Sequence, residues 1–184
     1  MERRVPVADY RAAWPRNQSH MVHNAKLNIM TFLRLLIWLS LIVWLGGLIF
    51  FGSVLAPTVF SVLPTRHLAG AVVNRSLGAL HWMGMVSAVV FLGASMLHSR
   101  LGGTRVFGLR HVLVCLMLTL TLISQFGIMP KMAELRAGMG EIDNVAPSEP
   151  ARLQFDGLHA WSTRLEGVVL LLGVVVVYLT AAGS

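Results

Sequence analysis

Residues 35–55 read LLIWLSLIVWLGGLIFFGSVL and contain no charged side chain. About 20 predominantly apolar residues are enough for a helix to cross a hydrocarbon core roughly 30 Å thick. Backbone polar groups in that core find no water, so a helix must satisfy them internally. The stretch therefore predicts a membrane-spanning helix.

Three further runs have the same character, at residues 77–97, 112–129 and 161–182. The 184-residue chain is 55% hydrophobic and 12% charged, whereas soluble domains carry about 25% charged residues. We therefore predict an all-α fold, an integral membrane four-helix bundle formed by residues 29–184. A basic cytoplasmic tail, residues 1–28, precedes it.

The basic residues are unevenly distributed between the two sides of the predicted bundle. Of the 15 Lys and Arg residues, nine precede the first span or lie in the link between spans two and three, and six lie on the other side. The positive-inside rule then places both termini in the cytoplasm, and we expect the bacterial inner membrane as the location. A net charge of +7 beside apolar spans indicates contact with the lipid bilayer and no nucleic-acid partner.

Between the spans, prolines and polar residues predict the connections. We expect turns at Pro57 and Pro64, with a short interfacial helix over residues 66–74 leading into span two. Residues 130–138 should extend the third helix beyond the membrane, and the fourth helix should begin near Pro150 and stand one or two turns above the bilayer.

Small residues in the spans indicate where helices approach each other. Gly84 and Ala88 form a small-xxx-small pair on span two, and Gly46 and Gly47 are adjacent on span one. Such residues allow close contact between membrane helices, so these four positions are predicted helix contacts.

A polar stripe marks the entrance to the fourth span, which reads FDGLHAWSTRLEGVVLLLG over residues 155–173. Its members are separated by 4, 3, 4 and 3 positions, which places them on one helix face; they are Arg152, Asp156, His159, Thr163 and Glu166. Ionisable groups at membrane depth usually face the bundle interior or a cavity, so we expect this stripe to face inward.

His81, near the start of span two, should lie at the same outer end as His159. Ser124, Gln125 and Met129 at the end of span three would complete a cavity there. The two histidines then form a candidate haem site, or a copper site because methionines lie nearby.

Two other interpretations of the stripe stay open. It forms a structural network in which Glu166 pairs with Arg66, Arg75 or Arg152, or it forms a proton or substrate path through Glu166. The sequence has one cysteine, Cys115, and no Gly-rich nucleotide loop, P-loop or HExxH motif. We therefore expect no enzymatic activity.

Three segments carry a resemblance to a known family. They are the sequence LAPTVF at residues 55–60, the Ala69-Gly70 pair, and LHAWS at residues 158–162. In that order they resemble the transmembrane protein 205-like family, a domain of unknown function. The resemblance implies a four-helix membrane protein with no defined activity, and distant similarity to proteins of copper handling and haem biosynthesis. Glu166 departs from the family pattern, where a neutral polar residue such as Asn is expected.

The leading hypothesis is a non-enzymatic accessory or interaction subunit of a larger membrane complex. Its N-terminal tail would bind a partner subunit, with Tyr10 and Trp14 as anchors. The alternative for the tail is an arm held near anionic headgroups. The alternatives for function are a haem- or copper-binding redox protein that uses His81 and His159, and a proton-coupled transporter.

Overall fold

The computed structural model describes residues 14–102 and 107–182. Six α-helices contain most of them: α1 Trp14–Phe50, α2 Ala56–Val62, α3 Arg66–Gly102, α4 Leu109–Ile123, α5 Met129–Met139 and α6 Pro150–Ala182. A first π turn, Phe51–Leu55, joins α1 to α2, and a second π turn, Ser124–Ile128, joins α4 to α5. Residues 1–13 of the predicted tail, including Tyr10, lie outside the described residues.

Four continuous rods are long and apolar enough to cross a membrane: His23–Val62, Arg66–Gly102, Leu109–Met139 and Pro150–Ala182. Each contains one of the four predicted spans, and no described residue lies in a β-strand. The all-α, four-span prediction is therefore confirmed for this part of the chain.

The rods pack as a ring of antiparallel neighbours. α1 lies against α3, α3 against α4, and α4 and α5 against α6, while α1 also touches α6 and closes the ring. Short connections between consecutive rods force this alternation of direction. We name the end where α3 and α6 begin the cavity end, and the other the terminal end.

Tight glycine contacts hold the rods together. A Cβ built on Gly84 of α3 would lie 2.5 Å from Nε1 of the Trp44 indole, and one on Gly173 of α6 would lie 2.7 Å from Leu45. Gly47 faces Leu80 in the same way. Backbones can approach this closely only where the side chain is absent.

Of the four predicted helix contacts, Gly47 and Gly84 lie against side chains of a neighbouring rod, and Ala88 is fully buried. Gly46 is different: it is exposed, and nothing lies within 4 Å of a Cβ built there. The prediction for Gly46 is corrected, because adjacent residues on a helix point about 100° apart and only one of the pair can face α3.

The chain passes Pro57 without a turn, against expectation. In the first π turn, Ala56 N–H donates to the carbonyl of Phe51, five residues back, and in the second, Met129 N–H donates to Ser124. Each donor immediately precedes a proline, Pro57 or Pro130. A proline ring normally clashes with the carbonyl four residues back, and a wider π turn accommodates it without ending the rod.

The predicted turn at Pro64 is confirmed by the break between α2 and α3 at residues 63–65. α3 then begins at Arg66 as one continuous helix, so no separate interfacial helix forms. Its first turn is capped twice: Thr65 Oγ1 accepts from Leu68 N–H at 3.2 Å, and Asp143 Oδ2 accepts from Arg66 N–H at 2.9 Å. Asp143 thereby ties the loop between α5 and α6 to α3.

A small apolar cluster closes the cavity end above the main core. It contains Met132 of α5, Ile142 of the loop and Phe155 of α6. Gly140 allows the loop to turn, because its φ of 66° is rarely adopted by other residues. α5 extends the third rod and α6 begins at Pro150, as predicted.

Candidate ligand-binding cavity

His81 is a deeply buried polar side chain at the cavity end, with 2% of its surface exposed. Its Nε2 lies 2.7 Å from Glu166 Oε1 on α6, and its Nδ1 lies 2.8 Å from Gln125 Oε1 in the second π turn. Ser124 Oγ donates to the same Glu166 oxygen at 3.4 Å. Three rods therefore meet at one imidazole, and we call these four residues the polar cluster.

The polar cluster accommodates the imidazole with either one proton or two. When both ring nitrogens carry a proton, each donates to an oxygen atom, and the imidazolium is paired with the Glu166 carboxylate. When the Gln125 amide rotates by 180°, its NH₂ group faces Nδ1, which then accepts and needs no proton. A proton can therefore leave or join the cluster without the loss of a hydrogen bond.

The second π turn supplies two of the four members. Its wider winding brings the consecutive residues Ser124 and Gln125 to the same interior region, where one contacts Glu166 and the other His81. Side chains of consecutive residues on a regular α-helix diverge by about 100°. π turns inside α-helices are frequent at functional sites.

A cavity of about 510 Å³ lies beside the polar cluster at the cavity end. Glu166 forms part of its wall, while His81 lies behind Glu166. Most of the wall is apolar and comes from five of the six α-helices, all but α4, and from the first π turn: Leu48, Phe51, Phe60, Val73, Leu77, Met129, Met132, Phe155 and Leu170. Ligand sites typically have this size and this mixture of apolar wall and few polar groups.

Two exposed glycines form part of the cavity wall. Gly52 of the first π turn and Gly167 of α6 line the cavity, both are exposed, and nothing lies within 4 Å of a Cβ built on either. Lower in the bundle, Leu45 of α1 packs tightly on Gly173 of α6 and holds the two rods together. The cavity wall therefore reaches the outer surface of the rods at Gly52 and Gly167.

Arginines form the upper wall of the cavity. Arg66, Arg136 and Arg152 all line it. Arg152 is neutralised: its Nε donates to both Asp156 oxygens, at 3.2 and 3.0 Å, and its Nη1 donates to the Ile142 carbonyl. Arg136 lies over the Phe155 ring, with Cζ 5.2 Å from the centroid.

The predicted stripe on α6 maps largely onto this cavity. Arg152, His159, Thr163 and Glu166 line it, while Asp156 is exposed beside Arg152. The expected partner of Glu166 was wrong: Glu166 pairs with His81 instead of Arg66, Arg75 or Arg152. Of the three residues expected to complete a cavity, Met129 lines it, whereas Gln125 and Ser124 contact His81 and Glu166 and are not part of its wall.

The two predicted haem or copper ligands are in different environments. Both ring nitrogens of His81 are engaged by Gln125 and Glu166, and the exposed His159 ring stacks on Phe155 with centroids 6.4 Å apart. Among the described residues, no three His, Cys, Asp or Glu side chains are grouped so as to hold a metal ion. These contacts do not fit a bis-histidine ligand set, and ligation by this pair stays a prediction.

Two further histidines belong to the terminal end and have structural partners. His98 Nε2 accepts from Arg34 Nε at 3.3 Å. His111 Nδ1 accepts from Gly108 N–H at 3.1 Å, so its Nε2 carries the proton and faces Ser95 Oγ at 3.0 Å. His111 thus caps the start of α4.

Sequence reasoning missed Arg136 and Gly70. A Cβ on Gly70 would lie 2.8 Å from Arg136 Nη2, so the missing side chain makes room for the guanidinium. The Ala69-Gly70 pair was noted for its family resemblance. The sequence pattern did not indicate that α5 would place an arginine against this pair.

The rods and the cavity define a four-helix membrane protein with a mostly apolar cavity beside the buried His81–Glu166 contact. The chain belongs to a family described as a domain of unknown function (DUF4149), whose model matches residues 39–141. That match includes His81, Ser124, Gln125 and Arg136, whereas Glu166 lies beyond it. None of the curated proteins and none of the solved structures matches the chain.

Proposed function

We propose that this protein is a non-enzymatic membrane protein that binds one amphiphilic molecule in the cavity beside Glu166. The observation that carries the proposal is the pair of exposed glycines, Gly52 and Gly167, in the wall of a mostly apolar cavity, since a molecule dissolved in the bilayer would enter beside them without crossing water. The apolar wall takes the hydrocarbon part, and the polar upper end takes the polar part.

The cavity size supports this proposal. About 510 Å³ lies within the range of roughly 300–1,000 Å³ for small-molecule sites. A single hydrocarbon chain with a small head group suits such a volume. Among the described residues of the wall, no nucleophile is hydrogen-bonded to an activating base, and binding rather than chemistry is the role that we assign.

Native mass spectrometry of the detergent-purified protein tests the proposal. The wild type should retain an amphiphile from the membrane as an added mass, one per chain. In Gly167→Leu the new side chain narrows the proposed entrance, and the adduct should be lost. Gly157→Leu is the matched control, because Gly157 is also exposed on α6, has nothing within 4 Å of a built Cβ and lies outside the cavity wall. Equal adducts in all three proteins would refute the proposal.

One observation favours a second function, proton-coupled transport. The polar cluster can gain or lose a proton while its hydrogen bonds are retained. Glu166 at the cavity wall would exchange the proton with the cavity, and His81 would hold it behind. Proton uptake into proteoliposomes under a potassium diffusion potential should disappear in Glu166→Gln while the melting temperature is retained. Unchanged uptake would dispose of this function.

We further propose that the protein works as an accessory subunit of a larger complex in the bacterial inner membrane, with both termini in the cytoplasm. The exposed N-terminal part of α1 and its basic residues support this arrangement. The cavity end would then face away from the cytoplasm and receive its ligand from the outer leaflet.

A further inference from the structure

We propose that Arg136 binds the anionic head, a carboxylate or phosphate, of a single-chain amphiphile whose hydrocarbon tail occupies the cavity. This inference rests on the proposed binding function and names the class of its ligand.

Arg136 is a cation in an enclosed position. Its Nε is buried and has no hydrogen-bond partner. One face of the guanidinium lies over the Phe155 ring, and Nη2 lies against the backbone of α3 at Gly70. Since a buried polar group without a partner is costly, a group from outside the chain that accepts its hydrogen bonds would stabilise it.

The carboxylates around the cavity are already engaged. Ion pairs within the described ranges 14–102 and 107–182 are His81–Glu166 and Arg152–Asp156. Asp143 accepts from the first turn of α3. In the part of the chain that the structure describes, Arg136 therefore has no counter-ion within ion-pair distance, although Arg66 adds a second positive charge to the same wall.

The guanidinium is suited to an oxyanion. Its planar fork donates two parallel hydrogen bonds to a carboxylate or phosphate, and such charge-assisted bonds are roughly twice as strong as neutral ones. A neutral head, such as an alcohol, satisfies fewer donors and brings no charge. The site should therefore discriminate by charge.

Positions along α5 and α6 orient the ligand. Arg136 stands seven residues beyond Met129 on α5, which is about 10 Å along the helix axis. Met129, Leu48 and Leu170 line the deeper, apolar part. Glu166 lines the cavity as well and is engaged by His81, so its acceptor oxygens offer no hydrogen-bond donor to an anionic head. The head accordingly lies at Arg136, and the tail runs toward the middle of the bundle.

Equilibrium binding to the full-length protein in a non-ionic maltoside detergent tests the inference. The probes are oleate, oleyl alcohol, acetate and inorganic phosphate. Wild type should bind oleate at least about tenfold more tightly than oleyl alcohol, and acetate and phosphate should not compete. Arg136→Gln should remove the preference for oleate, and Arg136→Lys should restore part of it.

Two further variants separate charge from folding. Gly70→Ala keeps Arg136 but pushes its guanidinium away, so oleate binding should fall while oleyl alcohol binding is retained. Arg164→Gln removes a charge from an exposed arginine of α6 that lies over Trp161 and outside the cavity wall, and it should change nothing.

Each remaining outcome contradicts the inference in a distinct way. Equal binding of oleate and oleyl alcohol, unaffected by Arg136→Gln, would overturn the anion site and leave the proposed binding function standing. Competition by acetate or phosphate alone would show a site for free anions. Binding of neither oleyl probe would overturn both the inference and the proposed function.

Discussion

His81 illustrates how a membrane protein stabilises an ionisable side chain far from water. The imidazole is 1% exposed and the Glu166 side chain 16% exposed, and every polar atom of the ring has a partner. Removing one member of a buried ion pair leaves the other charge uncompensated, which is more destabilising than the pair itself is stabilising. The cluster is thus a strong constraint on how α3, α6 and the second π turn fit together.

A double-mutant cycle on His81 and Glu166 tests this constraint. His81→Leu should lower the free energy of unfolding by about 1–3 kcal/mol, because the partly buried Glu166 carboxyl loses its hydrogen-bond partner. Combining it with Glu166→Leu should cost less than the sum of the two single variants, with a coupling of at least about 1 kcal/mol. Unfolding by denaturant in micelles measures all four proteins. His159→Leu, at an exposed position, is the control, and additive effects at His81 and Glu166 would contradict the pairing.

Part of this site could be predicted at the residue level. Spacing on the fourth span indicated which α6 side chains share a face, and the antiparallel order of spans indicated that Gln125 and Ser124 share their end. The partner of Glu166 could not be predicted, because it depends on how α3 is rotated about its axis. Arg66 and Arg75 lie on the same helix as His81, and only packing decides which of them faces α6.

At the scale of elements, the rods α1–α2 and α4–α5 share one feature, a π turn that precedes a proline. Each is a membrane-length rod with a π turn just before a proline, and both π turns contribute to the cavity region, the first through Phe51 and Gly52 and the second through Ser124 and Gln125. The sequence predicted the rods well, since apolar length alone determines them. The turn predicted at Pro57 was wrong, because a π turn within a helix leaves the hydropathy pattern unchanged and could not be foreseen from it.

Gly84 provides the sharpest test of rod packing. Gly84→Ala places a methyl group 2.5 Å from the rigid Trp44 indole, so α1 and α3 must separate, and we expect a loss of about 1–3 kcal/mol in the free energy of unfolding. The melting temperature in detergent should fall accordingly. Gly93→Ala on the same helix meets nothing within 4 Å and should leave it unchanged or slightly higher. Equal effects of the two substitutions would contradict the packing described for α1 and α3.

For the whole molecule, the N-terminal part of α1 is the least integrated region. Every side chain described between residues 21 and 29 is exposed, whereas Met30 lies 3.6 Å from a Cβ built on Gly102 at the end of α3. Residues 21–29 extend the helix by about 14 Å along its axis. Such an extension adds no core to the bundle and leaves a helical surface for another subunit.

Deletion of residues 1–28 tests the role of this extension. The melting temperature should stay within about a degree of the wild type, because the side chains described between residues 21 and 28 are exposed and contribute little to the stability of the bundle. The assembly seen on native gels after mild solubilisation should lose mass. An unchanged assembly, or a monomer for the full-length chain, would argue against the accessory role.

The central claim is that the cavity holds an amphiphile, and photoaffinity labelling with a single-chain fatty acid carrying a diazirine in its tail tests it most directly. Peptide mapping should place the label on cavity residues such as Met129 and Leu170, and excess oleate should prevent it. Labels spread evenly over outward-facing residues of α6 such as Leu171 and Val174, with no protection by oleate, would contradict the account.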